Sequence, residues 1–185
     1  MFARTQRLTL RPGWIEDAPE LARAIGHESV VSKLARAPWP YTLGDAETFL
    51  RGQGSRPGAF FLICAHDRGA APIVGGIGIS DDDDGQTELG YWLTPSAWGR
   101  GYATEAGRAV IGIARDSLRL KRLVSGHFID NPASGRVLRK LGFRPTGRIV
   151  PRHSRARGEE VGSATFELDL CADAAGDDPG ARMAA

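Results

Sequence analysis

The chain has 185 residues, of which 42% are hydrophobic and 25% charged, and its 24 basic and 22 acidic side chains leave a formal net charge of +2. This composition is typical of a soluble globular domain, and no apolar run approaches the about 20 residues that span a membrane. The N-terminus lacks the apolar core of a secretion signal, and the two cysteines show no disulfide or metal-binding spacing, so we expect a cytoplasmic protein without a bound metal.

The first half of the chain predicts two main helices among β-strands. Alternation predicts a first strand at residues 7–11 and a three-strand meander at residues 59–65, 73–79 and 87–93. Helices are predicted at residues 15–25 and from 43 to about 53, the second with Thr42 and Asp45 as a capping box. A small helix or loop fills the segment between them.

The second half alternates helices and strands. A helix is predicted at residues 104–117, a strand at 122–128, and a helix from Pro132, capped by Asn131 and ended by Gly142. Two last strands are predicted at about 146–153 and 160–168. An antiparallel meander followed by these units predicts an α+β fold, a mixed sheet with helices on its faces. One domain therefore covers residues 1–171, and residues 172–185, rich in Ala, Asp and Gly, predict a disordered tail.

The stretch WGRGYATEA, residues 98–106, predicts an anion-binding turn. Gly99 and Gly101 permit a tight turn, and the amides from Arg100 to Thr104 lie at a helix start, where unpaired donors and the helix dipole favour an anion. Two glycines before a helix are weak evidence alone, and the stretch has neither the Lys-Ser/Thr pair of a Walker loop nor a third dinucleotide-binding glycine. The acidic run before Gly85 is interpreted as a hairpin turn, because Tyr91 stands where a calcium loop needs Glu.

Three stretches together resemble a known family. TELGYWLTP, WGRGYATEA and DNPASGRVLRKLGF, in this order, resemble the GCN5-related N-acetyltransferase (GNAT) superfamily, and most of all its RimJ/RimL-like branch. The similarity extends over residues 5–170. It implies the GNAT fold, a mixed and mostly antiparallel sheet of about seven strands with helices on both faces. It also implies transfer of an acetyl group from acetyl-CoA to a primary amine by direct attack.

The resemblance implies a set of acetyl-CoA contacts. Gly101 and Ala103 match the last two positions of the family's Gln/Arg-x-x-Gly-x-Gly/Ala loop, whereas Trp98 replaces its Gln or Arg. The pyrophosphate is expected on the loop amides, and the pantetheine arm on the end of the preceding strand and on Asn131. Arg136, Arg139 or Lys140 is a candidate for further phosphate contacts. The expected cosubstrate-binding residues are Leu93, Thr94, Gly99, Arg100, Gly101, Tyr102, Ala103, Thr104, Asn131 and Ser134.

The resemblance also implies the residues that carry the chemistry. The amine must be neutral before it attacks, and a general base would help to remove its proton. Glu88 and His153 are both candidates. The proton donor that the superfamily often places on tyrosine is missing, because Leu138 occupies that position, and Ser134 is the expected substitute at the CoA sulfur. His127 is expected to pack or to line the substrate pocket.

The acceptor amine stays open between a protein N-terminal α-amine and a small-molecule amine. Residues 29–41 are expected to contribute to its pocket, with Trp39 and Tyr41 as lining candidates. The protein is expected to be a monomer or homodimer with no membrane partner. Two other functions are considered: a non-catalytic acyl-CoA-binding regulatory module, and a nucleic-acid-binding protein using the eight basic residues of segment 131–158. Nucleic acid is disfavoured because the segment has few aromatic residues for base stacking.

Overall fold

Eight strands form one sheet in the computed structural model, which describes residues 1–54, 58–82 and 84–171. The order across the sheet is β1-β2-β3-β4-β5-β6-β8-β7, and every neighbouring pair is antiparallel except β5 and β6. The strands are β1 (Ala3–Arg4), β2 (Leu8–Arg11), β3 (Gly58–Ala65), β4 (Ile73–Asp81), β5 (Thr87–Leu93), β6 (Arg122–Phe128), β7 (Arg144–Ser154) and β8 (Glu159–Asp169).

The α+β prediction is confirmed, and the count of about seven strands is one too low. The additional strand is β1, whose two residues are too short to show an alternating pattern. The predicted tail, residues 172–185, lies outside the described residues.

Five helices accompany the sheet, and in the described residues none is long and apolar enough to cross a membrane. The capping box is present, since Thr42 Oγ1 accepts from the Asp45 amide at 3.2 Å and the Asp45 carboxylate accepts from the Thr42 amide at 2.9 Å. The helices are α1 (Ala18–Ile25), α2 (Glu28–Val31), α3 (Leu43–Arg51), α4 (Tyr102–Gly112), which continues into a π-helical turn at Ile113–Ser117, and α5 (Pro132–Lys140).

The helices cover both faces of the sheet because side chains alternate along the strands. On β3, Phe61 and Ile63 belong to the core that α4 and α5 cover, whereas Leu62 and Cys64 pack with residues of α1 and α3. We call these the α4/α5 face and the α1/α3 face. The side chains of the central strand β5 divide between these two faces in the same way.

The sheet opens between β5 and β6. Strand β5 pairs with β4 along its whole length, but among the described residues its pairing with β6 is limited to Glu88 with Val124. Just beyond this point, Ser125 Oγ donates to the Leu89 carbonyl at 2.8 Å. The remainder of β5, up to Leu93, therefore borders a cleft instead of a neighbouring strand.

Candidate active site

The cleft ends at the N-terminus of α4, which has no side-chain cap. Gly99 and Gly101 have φ angles of 73° and 80°, in the left-handed region that favours glycine. Gly101 occupies the N-cap position, where Ser, Thr, Asp or Asn usually accepts a hydrogen bond from the first turn. The amides of Tyr102, Ala103 and Thr104 thus remain available, as an anion site at a helix start requires.

A partly buried carboxylate attaches this loop to the N-terminal strands. Glu105, in the first turn of α4, accepts hydrogen bonds from Thr5 Oγ1 at 2.6 Å and from the Arg7 amide and Nε, both at 2.8 Å. Arg7 Nη1 also donates to the carbonyl oxygen of Arg100 at 3.0 Å. Burial opposes ionisation of Glu105, but the hydrogen bonds from Thr5 and Arg7 outweigh it and lower its pKa. Sequence reasoning missed this contact, since no local pattern links residues 98 positions apart.

Three side chains of the loop form hydrogen bonds within the protein. Tyr102 is buried, and its hydroxyl donates to the Asp67 carboxylate at 2.8 Å, so its possible contribution to ligand binding is its amide. The Trp98 indole donates to the Leu93 carbonyl at 2.8 Å and ties the loop to the end of β5. Arg100 is exposed, and its Nε donates to the Ser96 carbonyl at 3.3 Å.

The end of β5 offers fewer groups than expected. The Thr94 amide donates to the Val74 carbonyl at 2.9 Å, and the Thr94 carbonyl accepts from the Ala97 amide at 3.0 Å. Because peptide groups alternate along a strand, those of Tyr91 and Leu93 are directed towards the cleft. The backbone groups left for a ligand in the cleft are therefore the amide and carbonyl of Tyr91 and the amide of Leu93. The Leu93 carbonyl accepts from Trp98, and both peptide groups of Thr94 are used within the protein.

The N-terminus of α5 faces the same cleft. Asn131 caps this helix, and its Oδ1 accepts from the Ser134 amide at 3.4 Å. The Ser134 hydroxyl lies 2.8 Å from the Tyr91 hydroxyl, which also lies 3.1 Å from the Ser134 carbonyl oxygen. Burial raises the pKa of Tyr91 to about 12, and the hydrogen bond with Ser134 opposes this shift. Sequence reasoning missed Tyr91, which lies three residues after Glu88 on β5 and therefore on the opposite face of the sheet.

Glu88 lies on the other side of β5, on the α1/α3 face. Its two carboxylate oxygens both accept from the Arg152 guanidinium, at 2.6 Å for Nη2, and its side chain is 16% exposed. On the same face, Gly90 leaves open space between Glu88 and Trp92, since a Cβ there would have no atom within 4 Å. Glu88, Gly90 and Trp92 therefore form the floor of an open slot.

The turn between β7 and β8 packs beside Trp92 and is joined to the segment after α2. Ser154 Oγ donates to the Leu34 carbonyl at 3.3 Å, and the Arg155 amide donates to the Ala35 carbonyl at 2.8 Å. Ala156, in the turn, packs in the same small cluster as Trp92 and Tyr41. Burial raises the pKa of Tyr41 to about 12.

The remaining candidates lie apart from the slot. His153 is exposed and follows Arg152 on β7, so its side chain points to the opposite side of the strand and away from Glu88. The His127 ring is 5.5 Å from the Phe166 ring, and its Nδ1 is 2.9 Å from the Phe128 carbonyl, which is the packing role considered for it. Trp39 is 43% exposed.

The basic residues of segment 131–158 differ in their contacts. Arg152 bonds to Glu88, Arg157 bonds to Asp130 at 2.8 Å, and the Arg139 guanidinium lies 5.5 Å from the centre of the Phe166 ring. Arg136 and Lys140 are exposed on α5. In the described part of the chain, no three His, Cys, Asp or Glu side chains gather where a metal ion would fit.

Comparison with known proteins identifies the family of this fold and cleft. The model of the acetyltransferase (GNAT) domain matches residues 7–144. The uncharacterized N-acetyltransferase p20 of Bacillus licheniformis is 27% identical over 171 residues, which cover 89% of this chain and 93% of p20.

Solved structures agree in fold. A GNAT-family acetyltransferase from Bacillus anthracis has a TM-score of 0.77 at 21% identity, over 92% of this chain and 99% of that one. RimL, the ribosomal L7/L12 alpha-N-protein acetyltransferase solved with coenzyme A, has a TM-score of 0.76 at 18% identity, over 91% and 98%. The family model matches more than half of the length of this chain. The chain therefore belongs to the GNAT family and is an acetyl-CoA-dependent acetyltransferase.

Proposed function

We propose that this acetyltransferase transfers the acetyl group of acetyl-CoA directly to a primary amine, with a protein or peptide α-amine as the favoured acceptor class. The observation that carries the proposal is the cleft between β5 and β6, which joins an uncapped helix start on one face of the sheet to a carboxylate slot on the other. Acetyl-CoA supplies the acetyl thioester whose carbonyl carbon the amine attacks.

The residues of the cleft fit this cosubstrate. The amides at the start of α4 bind its pyrophosphate, since they are uncapped and Gly101 brings no side chain. The amide and carbonyl of Tyr91 and the amide of Leu93 pair with the pantetheine arm as an added strand would. This places the thioester near the point where β5 and β6 part, beside Ser134 at the start of α5. The side-chain amide nitrogen of Asn131 donates to the arm, while its oxygen caps the helix.

The amine enters by the slot on the α1/α3 face. Glu88 accepts its proton through water and is favoured over His153, because Glu88 borders the cleft whereas His153 points away. An α-amine, with a pKa of about 8, reaches the neutral form that attacks the thioester more readily than a lysine side chain, with a pKa of about 10.4. This difference favours an α-amine as the acceptor.

The acceptor class is tested by free-thiol release from acetyl-CoA with matched amines and the full chain. One peptide is supplied with a free N-terminus and no lysine, and again with an acetylated N-terminus and one lysine. A polyamine, an aminoglycoside and an amino-acid amide complete the set. We expect the highest kcat/KM with the free α-amine peptide. Faster reaction of the lysine peptide or of a small amine would overturn the acceptor class. If none of these amines gave thiol release, amine transfer itself would be overturned.

The proton acceptor is tested with Glu88→Gln, which keeps the size of the side chain and removes its charge. Loss of general-base assistance should lower kcat about tenfold to a hundredfold. Glu167→Gln, a change on β8, is the matched control. It alters an exposed ion pair with Arg122 and should leave kcat unchanged. If His153→Gln lowered kcat by this factor and Glu88→Gln left kcat unchanged, the role of proton acceptor would pass to His153.

A further inference from the structure

The hydroxyl groups of Tyr91 and Ser134 meet in the cleft. Resting on the proposed acetyl transfer, we propose that Tyr91 is a positioning residue that holds Ser134 Oγ, so that the serine proton is directed at the departing CoA sulfur. Ser134 touches the sulfur, and Tyr91 acts through Ser134.

The geometry allows two arrangements of the hydroxyl protons. Tyr91 can donate to the Ser134 carbonyl, 3.1 Å away, and accept from Ser134 Oγ, 2.8 Å away. Alternatively, Tyr91 donates to Ser134 Oγ, which frees the serine proton for another acceptor. Both hydroxyl groups rotate without moving a heavy atom. A negative charge on sulfur favours the second arrangement, because a charge-assisted hydrogen bond is stronger than a neutral one.

The position of Tyr91 suits this role. Its side chain lies on the α4/α5 face, where its ring packs against the main core, and its hydroxyl reaches the first turn of α5. A ring held by packing on a central strand keeps the hydroxyl in one place. Burial raises the pKa of Tyr91 to about 12, so the phenol stays protonated and acts as a donor throughout the reaction.

The cap of α5 makes the Ser134 hydroxyl available. Serine hydroxyls near a helix start commonly bond to backbone amides, but here Asn131 accepts from the Ser134 amide and serves as the N-cap. The Ser134 hydroxyl therefore pairs with Tyr91 and has no capping function. A pair of hydroxyls beside the proposed thioester is an arrangement that helix stability alone does not require.

The group-transfer step balances without a further reagent. The amine nitrogen forms a bond to the acetyl carbon, and the carbon–sulfur bond breaks with its electron pair going to sulfur. The surplus proton of the amine leaves through water to Glu88. Ser134 donates a hydrogen bond to the thiolate while Tyr91 donates one to Ser134, and the thiolate later takes a proton from solvent. Neither hydroxyl is consumed, and the products are the amide and CoA.

The test compares the affinity of CoA with that of desulfo-CoA, which lacks the sulfur. Calorimetry on the full chain is done at one mildly alkaline pH, where part of the CoA thiol is ionised. It gives the ratio of the dissociation constant of desulfo-CoA to that of CoA. The ratio should fall about threefold to tenfold in Tyr91→Phe, the range expected for loss of one donor in a charge-assisted chain. Ser134→Ala should lower it at least as much, and the double variant should lose no more than Ser134→Ala, because both residues serve one interaction.

Kinetics supply a second readout with the acceptor that turns over. Tyr91→Phe should lower kcat by a similar factor and leave KM for acetyl-CoA unchanged, since the sulfur of the thioester carries no negative charge before attack. Thr48→Val is the control: it removes a hydroxyl group of α3 that donates to the Gly44 carbonyl at 2.7 Å, and it should leave the ratio of dissociation constants at the wild-type value.

The outcomes separate this inference from the proposed function. A ratio in Tyr91→Phe equal to wild type, or additive losses in the double variant, would overturn the positioning role while amine transfer stands. A wild-type protein that binds CoA and desulfo-CoA equally would overturn the role of both hydroxyls. Absence of thiol release by the wild type would overturn the proposed function, whatever the ratios show.

Discussion

The two helix N-termini that border the cleft are built in opposite ways. Helix α4 starts at Gly101, which has no side chain and a left-handed backbone, so the amides of its first turn are uncapped. Helix α5 starts at Asn131, whose side chain accepts from the amide of Ser134. The first terminus is arranged to receive an anion, and the second is arranged to hold one hydroxyl in place.

The difference shows how one structural element serves two roles. An uncapped terminus gives up the about 1 kcal/mol that a cap contributes and offers its donors to a ligand. It then needs support from elsewhere, which Glu105, Arg7 and Thr5 supply through side chains from another part of the chain. A capped terminus is supported locally, and its side chains are free to act. Three predictions test this contrast.

The largest effect is expected from Gly101→Val. A β-branched residue at a φ of 80° is strained by about 1–3 kcal/mol, and relief of the strain moves the amides that bind pyrophosphate. KM for acetyl-CoA should rise about tenfold to a hundredfold, at about 1.4 kcal/mol per factor of ten. Gly85→Val is the control, since Gly85 has a φ of 72° with open space around it in the turn before β5. An equal rise of KM in both variants would refute a special role for the α4 terminus.

A medium effect is expected from Glu105→Gln, which weakens the support of the uncapped terminus. Loss of charge-assisted hydrogen bonds should lower the free energy of unfolding by about 2 kcal/mol at neutral pH. KM for acetyl-CoA should rise about threefold to tenfold, because Arg7 no longer holds the Arg100 carbonyl as firmly.

The pH dependence of Glu105→Gln has a definite sign. The pKa of Glu105 is lowered in the folded protein, so its stabilisation is present above the unfolded pKa of about 4.3 and is lost as pH falls through the folded value. Denaturant unfolding at several pH values should therefore show the gap between wild type and variant closing below about pH 4. Glu47→Gln, which alters a surface pair with Arg51, is the control and should show no such gap. A gap that stays constant down to acid pH would contradict this account of Glu105.

The smallest effect is expected at Asn131, where two substitutions separate the cap from the ligand contact. Asn131→Asp keeps an oxygen for the cap and should leave the melting temperature nearly unchanged, while loss of the amide donor raises KM for acetyl-CoA about threefold. Asn131→Ala should show the same rise of KM together with a loss of about 0.5–1 kcal/mol in stability. Identical stability in both variants would mean that the long 3.4 Å bond to the Ser134 amide does not act as a cap.

Local patterns predicted the elements around the cleft well. Residues 87–93 and 122–128 match β5 and β6, because alternation and turn residues act over a few positions. The start of α4 was predicted at residue 104 and lies at Tyr102, since Gly101 itself forms the N-cap. Glu88 and Ser134 were named from the motifs, yet their partners Arg152 and Tyr91 were not.

The sequence by itself determined that this is an α+β acetyltransferase of the GNAT family, because its motifs are short, contiguous and readable in order. Only the tertiary structure decided what each motif residue touches. Tyr91 meets Ser134 across 43 positions, Glu88 meets Arg152 across 64, and Arg7 meets Glu105 across 98. These contacts arise from the strand order and from the parting of β5 and β6, which depend on how the whole sheet packs and on no local run of residues.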